Sequence, residues 1–408
     1  MLGVLAVQTA TVTALDWPQW RGPRRDGYSA ETGLLQSWPD GGPPLAWKKT
    51  GLGNGYSGVA VANGKIVTMG EDKEASRVHL LNEADGKTIW SVVVGQAGAP
   101  GWGGFAGPRA TPTLDGDRVY ALNHYGELVC LSVADGKEIW KKSLVKDLGG
   151  KVPEWGYAES PMVDGDKVVV TPGQKQGCLA ALDKMTGRVL WQTKDFTDGA
   201  QYSSIIVAEI DGVRQYIQLT DASVCGVAED GKVLWKAKRK GNVAVIPTPI
   251  YADHHVFVTS GYEVGCNLFK VTKTGNSFKA EEVYANKDLD NHHGGVVLLD
   301  GNIYGYSDHN GWVCMEMKTG KVLWSQKDKQ HKGSVCGAEG LLYTRMEDEK
   351  GNGTMVLLEA SSKGYVEKGH FDQPDRSKMS SWPHPVIVNG KLYLRDQDVL
   401  LTYDVRRK

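Results

Sequence analysis

A five-residue pattern, Gly-basic-x-aliphatic-Trp, returns five times and limits this chain to a repeat architecture. The copies are Gly86-Lys87-Thr88-Ile89-Trp90, Gly136-Lys137-Glu138-Ile139-Trp140, Gly187-Arg188-Val189-Leu190-Trp191, Gly231-Lys232-Val233-Leu234-Trp235 and Gly320-Lys321-Val322-Leu323-Trp324. Each follows a strand-like run and an acidic or Thr turn residue (Asp85, Asp135, Thr186, Asp230, Thr319). The glycine supplies the positive φ of a tight hairpin turn. The tryptophan then falls at one fixed place in the strand that follows.

Around these anchors the chain divides into similar units at 56–95, 108–142, 157–195, 202–238, 245–287, 292–327 and 332–372. A unit opens with a small-residue strand and a turn, as in Ser160-Pro161-Met162-Val163-Asp164-Gly165. It continues through a β-branched strand (167–171) and an apolar strand (179–183) to the Trp strand. In the fifth and seventh units Val283-Tyr284 and Gly364-Tyr365-Val366 are read as standing in for the Trp strand. A final unit, 382–405, supplies three strands only, and Leu45-Ala46-Trp47-Lys48 is a lone copy of the missing fourth. The expectation is an all-β, eight-bladed β-propeller of four-stranded antiparallel blades. It is closed by the N-terminal strand completing the C-terminal blade, which leaves no open sheet edge. Each repeat tryptophan is then expected between neighbouring blades, burying apolar area worth ~2–3 kcal/mol.

Composition agrees: 51 Gly and 13 Trp, with almost no long helical pattern, in 408 residues expected to form one domain over 15–408. A net charge of −1 excludes a general basic field for nucleic acid. Residues 2–14 (LGVLAVQTATVTA) read as the apolar region and cleavage site of a signal peptide, although no Lys or Arg precedes them. They are too short to span a membrane. The protein is therefore expected to be periplasmic or secreted. The six cysteines form no vicinal pair and no CxxC, and five of them keep fixed distances from the turn glycines, so they read as small buried hydrophobes.

The repeat is similar to that of the pyrroloquinoline-quinone (PQQ) propeller family. The resemblance rests on the small-x-Pro openings, on Leu179-Ala180-Ala181-Leu182-Asp183 and on the Gly-x-x-x-Trp strands. The family includes quinoprotein alcohol dehydrogenases and cofactor-free members of BamB type. Asp16-Trp17-Pro18-Gln19-Trp20-Arg21-Gly22-Pro23 and Trp382-Pro383-His384-Pro385 resemble a bacterial subgroup of PQQ-binding-like repeat proteins. Two features depart from the dehydrogenases: the adjacent cysteines of the large enzymes are absent, and their calcium-carboxylate set matches no named positions here.

In a propeller the residues just before each innermost strand rim the axial channel on one face. Blade by blade these are Tyr56, Arg109, Glu159, Tyr202, Val245, His292 with His293, Lys332, and then Trp382 and His384. His124, Tyr125, Asp308, His309 and Asn310 lie further out, and the loop 95–108 and Trp155 are placed to fold over the mouth. Arg109 and Lys332 offer donors to a carboxylate or phosphate. Glu159 is the candidate general base. His292 and His293, consecutive and read as strand, should point opposite ways and not share a metal. No metal site is assigned.

Two functions follow as expectations. The first is an exported propeller that binds a small anionic or carbohydrate-like ligand, or a cell-envelope protein, through its funnel face. The alternative is a PQQ-dependent alcohol or sugar dehydrogenase, with PQQ and calcium as cofactors and Arg109, Glu159 and His384 around the quinone. No P-loop, Rossmann fingerprint, H-E-x-x-H or G-x-S-x-G points elsewhere.

Overall fold

The computed structural model describes residues 15–101, 105–327 and 331–407. The expected signal segment 1–14 lies outside the described residues. The described chain is all β, in eight antiparallel sheets of four strands, one of which gains a fifth. The innermost strands of blades 1 to 8 are Ala60–Ala62, Thr113–Asp115, Met162–Asp164, Ile206–Ile210, Ile250–Ala252, Val296–Leu299, Gly333–Ala338 and Val386–Val388. Leu45–Lys49 pairs antiparallel with Val399–Asp404, so the start of the polypeptide completes the last blade as expected.

The Gly-x-x-x-Trp pattern has a specific geometric use. All eight outermost strands carry a register shift at the same place, where one extra residue is inserted. In the five repeat copies the inserted residue is the aliphatic one before the Trp. A bulge re-aims the next side chain, and here it turns the indole toward the neighbouring blade. The indole N–H of Trp90, Trp140, Trp191 and Trp324 donates to Val133, Lys184, Glu229 and Ser361 carbonyls of the following blade, at 2.6–3.0 Å. Trp90, Trp140 and Trp191 lie flat on the turn glycines Gly136, Gly187 and Gly231, whose φ of 70–87° and missing Cβ permit the contact. Tyr284 substitutes in blade 5, with its hydroxyl on the Met317 carbonyl at 2.7 Å and its ring under Gly320. Trp235 differs: its N–H donates to Gln215 of its own blade.

Blade 7 corrects the sequence reading. Its outer strand is Glu367–Asp372, and the position paired like a repeat Trp is Gly369, not Gly364–Val366. Gly369 lies against Trp38, which fills the seam with Tyr343 and Phe371. The apolar core consists of such seams. Its clusters each join neighbouring blades, for example Trp90 with Leu131 and Trp140 with Val168. All six cysteines are buried and unpaired.

The segment 16–29 has no counterpart in the repeats and forms a strap across the axis. Trp17 bonds Val61 of blade 1, Pro18 accepts from Leu114 of blade 2, and Arg25 reaches Ser160 of blade 3. Trp20 donates to Thr248 of blade 5 at 2.9 Å, Arg21 to the Val296 carbonyl of blade 6, and Tyr28–Ser29 adds a parallel strand to blade 7. The axial channel is thereby closed from one side.

Candidate functional site: an aromatic chamber above the strap

Above the strap lies a chamber of about 990 Å³, its open mouth included. Seven of the eight blades contribute to its wall, because the residue that leads into an innermost strand points at the axis. Tyr56, Arg109, Tyr202, His292, Trp382 and His384, all read from sequence as rim positions, line it together with His293 and Trp155. Trp20 forms the floor with His384, their rings 4.6 Å apart. Phe105, Tyr262, Ala158, Ser204, Ala244 and Ile246 complete the lining. In blade 5 the expected Val245 faces the interblade core, and its two neighbours face the chamber.

Two further expected members turn away. Glu159 is buried under the wall, where it accepts from the Thr171 N–H at 2.5 Å, the Thr171 hydroxyl and Gln218 at 3.2 Å. Burial raises its pKa to about 7 against the pull of these donors and of the Arg25 charge. Lys332 pairs with Asp308 at 2.7 Å and does not reach the lining. Of the outer candidates, His309 approaches Asp290 at 3.4 Å and Asn310 donates to the Asp288 carbonyl at 2.9 Å. His124 is fully buried, with its ring 4.6 Å from Tyr125.

The electrostatics are simple. Arg109 is the only Lys, Arg, Asp or Glu in the lining. Its guanidinium stands 5.5 Å from the centre of the Tyr56 ring and donates to the Gly107 carbonyl at 2.7 Å and to the Phe105 carbonyl. These bonds fix its plane. Among the described residues no carboxylate lies within ion-pair distance of it; Glu71 is the carboxylate whose charge acts on it. Glu71 accepts from the Gly98 N–H at 3.2 Å and lies 3.6 Å from His124, and burial lifts its pKa to about 7.

The histidines are held neutral. Burial lowers His292 to about 4 and His384 to about 3, with the Lys332 and Arg21 charges respectively adding to the effect. His293 falls well below its usual value for the same first reason. His384 Nδ1 faces Arg21 at 3.5 Å, so it accepts, and Nε2 donates to the His293 carbonyl at 3.1 Å. His292 and His293 sit in a bend rather than a strand, which is why both can face the chamber, their rings 5.2 Å apart. Among the described residues no three His, Cys, Asp or Glu side chains converge to hold a metal ion.

The quinone cofactor expected for a dehydrogenase fits this lining poorly. Calcium takes six to eight oxygen ligands, and no Asp, Glu, Asn or Gln lines the chamber. PQQ carries three carboxylates, and the wall offers one permanent positive charge.

Trp20 and Tyr262 escaped the sequence reading, whereas Phe105 belongs to the loop 95–108 expected over the mouth. Tyr262 comes from a loop outside the rim rule, and Trp20 from the strap. The Trp-Pro-Gln-Trp-Arg-Gly-Pro string marked the strap as ordered without saying where it packs.

Comparison with known proteins agrees with the architecture. Residues 74–326 match the family described as outer membrane protein assembly factor BamB. The chain is 24% identical to outer membrane protein assembly factor BamB of Escherichia coli over 382 residues, 78% of this chain and 88% of that protein. Its fold superposes on quinohemoprotein alcohol dehydrogenase from Comamonas testosteroni with a TM-score of 0.67 at 14% identity, covering 97% of this chain and 81% of that one. Sqt1 of Saccharomyces cerevisiae gives 0.61 at 10% identity, covering 89% and 99%. At such identities the structural likenesses speak to fold alone. The sequence match extends over more than half of the polypeptide, and the chain belongs to the PQQ_2 family, described as outer membrane protein assembly factor BamB.

Proposed function

We propose that this protein is a binding propeller of the cell envelope that holds a small ligand in its axial chamber and performs no chemistry there. The observation that carries the reading is the convergence of aromatic side chains from the strap and several blades on one blind chamber with a single fixed charge, Arg109. Such a concave, largely apolar wall with a few placed polar groups is the usual form of a small-molecule site.

Catalysis has little to work with. A general base must reach the reacting atom, whereas Glu159 is spent on Thr171 and Gln218 below the wall. His384 has both ring nitrogens engaged. The dehydrogenase reading has the poor fit of calcium and PQQ against it. Export is supported by the apolar composition of residues 2–14 and by the family, whose name also makes a cell-envelope protein a candidate partner for the same face. Among the described residues no helix is long and apolar enough to cross a membrane.

A thermal-shift screen of small molecules tests the reading. A ligand at ~100 times its Kd should stabilise the fold by about 2.7 kcal/mol, and Trp382→Ala should remove the shift while leaving the unliganded protein folded. If no compound shifts the wild type, or if PQQ with calcium gives alcohol-dependent dye reduction, the reading falls.

A further inference from the structure

We infer that the chamber is built for a planar aromatic monocarboxylate with an uncharged hydrogen-bonding group at its far end, a hydroxyaryl carboxylate being the type. Its carboxylate meets Arg109 and its far group meets His293. The inference rests on the binding reading above and names the ligand class for it.

Ring order gives the geometry. Arg109 leads into blade 2 and His292 and His293 lead into blade 6, four places apart in a closed ring of eight. They therefore face each other across the axis. The walls at right angles are aromatic. On one side Trp382 packs against Tyr56 and Phe105, ring centres 4.3 and 5.0 Å apart, and on the other Trp155 packs against Tyr202 at 5.8 Å. A chamber walled by aromatic rings, with a guanidinium at one end and imidazoles at the other, suits an aromatic body with unlike ends.

Charge then selects the anionic end. Lys332 is neutralised by Asp308, and the histidines are uncharged, so the lining carries one positive charge. A monoanion matches it. A di- or tricarboxylate brings buried charge without a partner, which is costly. A cation meets Arg109. A neutral sugar needs partners for many hydroxyls, and the lining has no carboxylate or amide side chain to supply them.

At the far end two imidazoles line the chamber. His292 Nε2 already meets the Tyr262 hydroxyl at 3.1 Å, which leaves the His293 ring to meet the ligand's far group. At the near end, Arg109 has five N–H donors, and the carbonyls of Phe105 and Gly107 hold the guanidinium plane without exhausting them.

Calorimetric titration of the full chain at pH 6.5 tests the inference with 4-hydroxybenzoate, benzoate, 4-hydroxybenzyl alcohol, terephthalate, PQQ and a neutral disaccharide. 4-Hydroxybenzoate should bind best. Loss of the charge should weaken binding by about 10-fold or more, and loss of the hydroxyl by several-fold, as expected for charged and neutral hydrogen bonds. Arg109→Gln should erase the preference for acid over alcohol. His293→Phe should erase the preference for 4-hydroxybenzoate over benzoate. If Arg109→Gln fails to fold, Arg109→Lys should keep the preference for the acid at reduced affinity. Tighter, Trp382-dependent binding of PQQ, terephthalate or the disaccharide would overturn the ligand class and leave the binding reading standing. An absence of binding by every compound, with no hit in the thermal-shift screen, would remove both.

Discussion

Burial, more than pairing, sets the charge of the groups around the chamber, and this gives the residue scale its pH dependence. Glu71, near Arg109, has its pKa raised to about 7. Above that value it is an anion and repels an anionic ligand. Affinity for 4-hydroxybenzoate should therefore rise a few-fold from pH 8 to pH 6, and Glu71→Gln should flatten the profile in calorimetry. The histidines facing the chamber, lowered to about 4 or below, stay neutral over that range, as does His124 beside Glu71. Glu159 allows a separate test of stability. Its folded pKa of about 7 lies above the ordinary carboxylate value, so the folded state binds the proton more tightly, and stability falls as pH rises from about 4.5 to 7. Glu159→Gln should gain up to roughly 2–3 kcal/mol on the wild type between pH 5 and pH 8 in urea unfolding, with ligand affinity unchanged. Tyr56, Arg109, Tyr202, His292, Trp382 and His384 were legible as chamber residues because position before an innermost strand decides where the backbone points. Glu159 and Lys332 obey the same rule, but their side chains are claimed by Thr171 and Gln218, and by Asp308. Partners so distant in sequence leave no local signal.

At the scale of the element, the outer strand joins sequence to assembly. The turn glycine, the bulged aliphatic residue and the tryptophan form one device, since the glycine of one blade is the surface on which the preceding blade's indole rests. Gly187 has φ +70° and would place a Cβ 2.8 Å from the Trp140 ring, whereas Gly165, at φ +58°, has open space around it. Gly165→Ala should cost about 1 kcal/mol of backbone strain. Gly187→Ala should cost clearly more, ~2–4 kcal/mol, because the indole must move as well. Chemical denaturation of the two variants compares them directly. This device was legible because it repeats. Blade 7 was misread because Gly369, at the Trp position, is covered by Trp38 from the other end of the chain. The strap was not placed because a segment that occurs once has no period.

The whole molecule depends on two uses of the N-terminal region. Leu45–Lys49 closes the ring, and the strap 16–29 floors the chamber. Trp47 lies across the closing seam, over Gly86 and 6.2 Å from Tyr393. Trp47→Ala should lower stability by ~2–3 kcal/mol, and hydrogen exchange should show protection lost together in 45–49 and 399–404. The number of blades and the latch followed from counting units against a leftover strand. The ligand class follows only from side chains that the closed ring brings face to face. The most direct test of that convergence is a crystal structure of the protein grown with 4-hydroxybenzoate. Density for the ligand is expected above Trp20, its carboxylate on Arg109 and its hydroxyl at His293. Density for the ligand elsewhere, with the chamber holding only water, would contradict it.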